Sequence, residues 1–123
     1  MTDPNLHALF IGTVANGATK FVPVPIRYGR IGLQIAWVDA VSAATITLEL
    51  TSSQADVNAA GAAWEWEASG VAITGPTAAA ADSTLVNIEN CRQQRARLKI
   101  VATANCSFDI RDGTAGDASA GLP

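Results

Sequence analysis

Ile31, Leu33, Ile35 and Trp37 occupy every second position of one short run, with Gln34 between them. A period of two sends alternate side chains to opposite faces of an extended chain, so this run reads as a strand with one apolar face. The stripe recurs. Ile46, Leu48 and Leu50 alternate with Thr45, Thr47, Glu49 and Thr51. Ala96, Leu98, Ile100 and Ala102 alternate with Arg95, Arg97 and Lys99, which points the three cations outward. Cys106, Phe108 and Ile110 form another inward stripe. Trp64, Trp66 and Ala68 alternate with Glu65 and Glu67, which predicts a strand with an aromatic face and an acidic face. Residues 7–14, 19–24 and 84–89 complete seven or eight short strands with turn signals about every 8–12 residues. The pattern predicts an all-β chain, an antiparallel β-sandwich or jelly roll.

The connections carry their own signals. Asn16-Gly17 suits a type I′ hairpin turn between the first two strands, because both residues tolerate positive φ. Pro23 and Pro25 lack a donor and place the second strand on a sheet edge. Residues 52–62 read as a polar connection with one weak helical turn near 54–58, and Gly70 breaks or bulges the strand before it. Residues 77–82 read as a small-residue loop. Near the end, the two stripes align if Thr103-Ala104-Asn105 is a hairpin loop: Ala102 then faces Cys106, Ile100 faces Phe108, and Lys99 meets Asp109 outside. The chain divides into an arm and first strand at 1–15, a sandwich at 16–111 and a Gly/Ala-rich tail at 112–123.

Charge narrows the function. Only 15% of the 123 residues are charged, below the roughly 25% of an ordinary soluble domain, so either much of the surface is covered by partners or small Ala and Thr residues make a mild, neutral exterior. The net charge of −3 opposes nucleic-acid binding, which needs a concentrated positive field. No run of about 20 apolar residues offers a transmembrane helix, and Met1-Thr2-Asp3-Pro4 lacks the basic start of a signal peptide. A chain made in a cytoplasm, with free buried thiols at Cys91 and Cys106, is the expectation.

The reactive residues do not assemble into a catalytic set, and no catalytic residue, metal or cofactor is assigned. His7 is the single histidine, and metal binding normally takes three or four ligands. Asp109-Ile110-Arg111-Asp112-Gly113 lacks the regular acidic spacing of a calcium loop. Glu65 and Glu67 share a strand face at a glycosidase-like separation, but they read as solvated exterior. Trp37 reads as core. Trp64 and Trp66 read as core or subunit interface, with a carbohydrate platform as the other reading if they face outward. The candidate interface residues are Phe10, Phe21, Val22, Pro23, Tyr28, Trp64, Trp66 and Leu122.

Three segments carry a family likeness: residues 16–25 (Asn-Gly-Ala-Thr-Lys-Phe-Val-Pro-Val-Pro), residues 28–37 from Tyr28-Gly29-Arg30 to Trp37, and Arg95-Ala96-Arg97-Leu98-Lys99-Ile100. Together they resemble small β-sandwich structural proteins of tailed bacteriophage virions, the capsid cement or decoration proteins and tail-attached sandwich modules. The likeness extends over residues 8–111. It implies a non-enzymatic virion protein, assembled in the bacterial host cytoplasm, that stabilises a shell by bridging neighbouring subunits. It implies the major capsid protein or other virion proteins as partners and a trimer or dimer as the working form, with no nucleic acid or membrane partner. The alternative it implies is a carbohydrate- or receptor-binding module of a phage tail.

Overall fold

A computed structural model describes residues 7–38, 44–62, 64–71, 73 and 82–113. Its eight strands are β1 (Ala8–Val14), β2 (Thr19–Val24), β3 (Ile31–Trp37), β4 (Ala44–Thr51), β5 (Glu67–Ala68), β6 (Asp82–Ile88), β7 (Arg95–Ala102) and β8 (Cys106–Asp112). They form two four-stranded antiparallel sheets, one ordered β1-β8-β3-β6 and the other β2-β7-β4-β5. The pairs β1·β8, β2·β7, β3·β6 and β4·β5 are nested like the rungs of one long hairpin. Rolling that ribbon so that β8 also meets β3 and β7 also meets β4 gives a jelly roll.

The period-two stripes become the core. Leu33, Ile35, Trp37, Phe108 and Ile110 from one sheet face Val22, Leu48, Leu98 and Ile100 from the other, and all are essentially sealed from solvent. Trp37 meets Phe108 edge to face, with ring centroids 5.7 Å apart. Burying each such large apolar side chain contributes about 1.5–3 kcal/mol, so this stripe is the main stabilising element. Cys91 and Cys106 are buried and form no disulfide.

Two expected hairpins are instead arches between sheets. β1 and β2 lie in different sheets, and so do β7 and β8. Inward stripes on two consecutive strands satisfy either arrangement: side by side on one face, or facing one another across a core. The sandwich takes the second. Ala102 therefore pairs with Ala44 rather than Cys106, and Cys106 pairs with Val14. Lys99 lies between Phe21 and Thr47 in one sheet, while Asp109, in the other, holds Arg111 through two bonds of 2.8 and 3.1 Å. The expected Lys99–Asp109 pair does not form.

The two arches are stitched together at one end of the sandwich. Gly17 N donates to Ala102 O at 2.9 Å, Ala102 N to Ala18 O at 3.1 Å, and Asn16 N to the Asn105 side-chain oxygen at 2.9 Å. Only Gly17 of the Asn16-Gly17 pair has positive φ, at 82°, so this is not a type I′ turn. That turn occurs instead at Tyr28-Gly29, with φ of 54° and 71° and reciprocal bonds between Arg27 and Arg30. β2 is an edge strand with Pro23 exposed on it, as the prolines require. Residues 1–6, 77–81 and 114–123, with their expected arm, loop and tail, lie outside the described residues.

Candidate functional site

The long β4–β5 connection has no ladder to satisfy its backbone, and one side chain takes four of its carbonyls. Arg97 projects from β7 on the outer face of its sheet, yet only 1% of it is exposed. Its Nε donates to Glu49 Oε1 on β4 at 2.8 Å. Its terminal nitrogens donate to the carbonyls of Asp56, Val57, Ala59 and Ala60 at 2.6–3.4 Å. The flat guanidinium lies between two rings, 4.1 Å from the Phe21 centroid and 4.1 Å from that of Trp66. A planar, permanently charged fork can stack on both faces while donating around its rim, which an ammonium cannot do. Arg95 adds a bond from Nη1 to Ala55 O at 2.7 Å. The expectation that Arg97 is solvated therefore fails: alternation sends it outward correctly, and residues 55–60 with Trp66 then fold over it.

The rest of the connection is held by short side chains. Thr51 Oγ1 accepts from Ser53 N at 3.0 Å, and Ser53 Oγ accepts from Ala55 N at 3.1 Å. Asp56 Oδ1 accepts from Asn58 N at 2.9 Å. Such Asx and Ser/Thr turns compete with helix, which explains why the helical turn expected near 54–58 is not formed.

The expected strand over 64–68 shrinks to two residues, Glu67 and Ala68. Trp64 and Glu65 sit in a tight turn, where Glu65 N donates to Ala62 O at 3.0 Å and the Glu65 carboxylate accepts from Ala62 N at 2.8 Å. The turn ends the alternation, so the two tryptophans part. Trp66 is 6% exposed above Arg97, and Trp64 is 74% exposed. Trp64, Glu65 and Glu67 line an open cleft of about 500 Å³ together with Ser52, Ser53 and Gln93.

The other candidate interface residues scatter. Val22 is a core residue with no surface to offer a partner. Phe21 is half-buried against Arg97, and Phe10 is half-buried with the Lys20 ammonium 5.4 Å from its ring centroid. Pro23 and Tyr28 are exposed, at the edge strand and at the tip of the type I′ turn. Leu122 lies outside the described residues. Sequence reasoning missed the contributions of Arg97, Glu49, Ser52 and Gln93. The available signal was the unpatterned stretch 52–62, whose carbonyls must find donors.

The outer face of the β1-β8-β3-β6 sheet has a different character. Ile11, Thr13, Ser107, Gln34, Ala36, Ser83, Leu85 and Asn87 cover it, with Asp109 and Arg111 as its ion pair. Leu85 and Ile11 are 68% and 48% exposed. Among the described residues no group of three His, Cys, Asp or Glu could hold a metal, and no helix is long and apolar enough to cross a membrane. No family model matches the chain, and no curated protein or solved structure matches it.

Proposed function

We propose that this chain is a non-enzymatic structural protein of a viral particle, a capsid cement or decoration protein that bridges neighbouring shell subunits. The observation that carries the proposal is the outer face of the β1-β8-β3-β6 sheet. Its described outward side chains are small, amide or aliphatic, and its two charges, Asp109 and Arg111, neutralise one another. Depletion of charge is the compositional mark of the centre of a protein interface. A four-stranded sheet face also offers the breadth that a junction between large, regular subunits needs. The jelly roll is a fold of capsid and lectin domains, and this supports the reading by analogy alone.

The partners are then the major capsid protein or other virion proteins, with the sandwich acting as a dimer or trimer. Cryo-electron microscopy of the particle of the phage encoding this chain tests the proposal. The expected result is density for the sandwich at lattice junctions, with Leu85 and Ile11 facing the shell. Absence of the chain from every ordered lattice and tail ring overturns it.

A further inference from the structure

The geometry points to the Trp64 cleft as a binding site for a neutral hexopyranose unit of a glycan. The site is separate from the proposed shell-facing sheet and does not depend on the virion reading.

Trp64 is the largest apolar side chain left in water, at 74% exposure. Its turn is closed from both sides by Glu65, through the backbone N to Ala62 O and the carboxylate to Ala62 N. Two residues on, Trp66 is pinned over Arg97. The indole is therefore displayed from a turn that backbone and side-chain bonds hold, which lowers the ordering cost of binding. The cleft sets one aromatic surface beside several polar groups, and its volume of about 500 Å³ lies within the usual range for a small-ligand pocket.

The lining selects the ligand. Glu67 is exposed, and Ser52, Ser53, Ser69 and Gln93 supply hydroxyl and amide groups. No Lys or Arg lines the cleft among the described residues, so phosphates, uronates and sialic acids meet two carboxylates with nothing to neutralise them. An organic cation would gain from the carboxylates, but aromatic cages enclose such groups with several rings, and among the described residues the cleft has Trp64 alone. A pyranose fits both features: its apolar C–H face stacks on the indole, and its vicinal hydroxyls donate to Glu67 and exchange bonds with Gln93 and the serines.

The test uses the full chain labelled with ¹⁵N and titrated with maltose, cellobiose, lactose and, as the anionic control, sialyllactose. The protein has three tryptophans, so three indole N–H signals report separately. At least one neutral disaccharide should shift the Trp64 indole signal with millimolar affinity while those of Trp37 and Trp66 stay in place. Sialyllactose should bind more weakly than lactose. Trp64→Ala should lower the affinity at least tenfold, Trp64→Phe should retain most of it, and Glu67→Gln should weaken it several-fold; both positions are exposed, so these variants should fold. No shift with any neutral sugar at about 50 mM overturns the proposal. So does binding that survives Trp64→Ala, or a preference for the anionic sugar. Tetramethylammonium binding in place of the sugars would reassign the cleft to cations and overturn it as well. None of these outcomes bears on whether the chain sits in a shell.

Discussion

Arg97 and Trp66 stack with the guanidinium carbon 4.1 Å from the ring centroid, on the outside of a sheet rather than within the sandwich core. The contact makes a second, polar core, whose centre is a cation and whose walls are Phe21, Trp66 and the carbonyls of Asp56, Val57, Ala59 and Ala60. Removing Arg97 would strand those acceptors and leave the Glu49 carboxylate, 14% exposed, without its partner. Arg97→Ala is expected to cost about 3 kcal/mol, and Arg97→Lys about 2 kcal/mol, because one ammonium cannot serve the fork and both rings. Chemical denaturation reads both. A loss under 1 kcal/mol for Arg97→Ala would show that residues 55–66 hold themselves.

Tyr28 spends its exposure in an unfavourable backbone conformation. Its φ of 54° and that of Gly29, 71°, are both required by the type I′ turn. Tyr28→Asn should therefore raise stability by about 0.5 kcal/mol, and Gly29→Ala should lower it by about 1 kcal/mol. A Cβ on Gly29 would meet Cys91 O at an ordinary 3.6 Å, so the cost is conformational rather than a clash. Equal thermal midpoints for the two variants would contradict this account.

Trp37 is large and sealed, but its indole N–H has no partner among the described residues. Trp37→Phe removes that unmatched donor along with some volume, and the two effects oppose one another. The expected cost is within about 1 kcal/mol, against about 3–5 kcal/mol for Trp37→Ala. Calorimetric unfolding of the pair would check the gap. A Phe variant as damaged as the Ala variant would mean that the ring N–H is bonded after all.

The thiols should respond to accessibility alone. Cys106 is 0% exposed within β8, whereas Cys91, 7% exposed, lies in the connection after β6. Iodoacetamide should modify Cys91 first and Cys106 only on global opening, with no mass change on prior reduction because neither is bridged. Peptide mass spectrometry over a labelling time course gives the order, and simultaneous labelling would contradict it.

Pro23 keeps the β2 edge from accepting another strand. Pro23→Val should leave the unfolding midpoint within about 0.5 kcal/mol while promoting self-association, visible by light scattering. An unchanged, concentration-independent mass would remove that role from Pro23.

The strands were legible because burial imposes period two, and the Ile31-Leu33-Ile35-Trp37 stripe meets it without exception. Which strands pair was less so. Alternation records which face of a strand is inward but not which neighbour lies beside it, and Ala102 and Cys106 obey it equally well as hairpin or arch. Trp64 and Trp66 misled for a related reason. Their spacing fits a strand, but the bond from Glu65 N to Ala62 O curls the chain there, and a local turn of that kind leaves no mark on hydrophobic periodicity. Arg97 was placed on the correct face and given the wrong environment, because what covers it comes from residues about 40 positions away.

The nested pairing also sets the order in which the chain can become stable. β8 emerges after the other seven strands, yet it is an inner strand of its sheet, flanked by β1 and β3. Val14 must wait for Cys106 before it has a ladder partner. Loop-closure entropy is therefore paid before most of the sheet contacts can repay it, which places folding in the millisecond-to-second range of non-local β topologies. Until β8 arrives, the apolar stripes of β1 and β3 have an open seam between them. A nascent chain stalled before residue 106 would expose that seam to aggregation or to a chaperone.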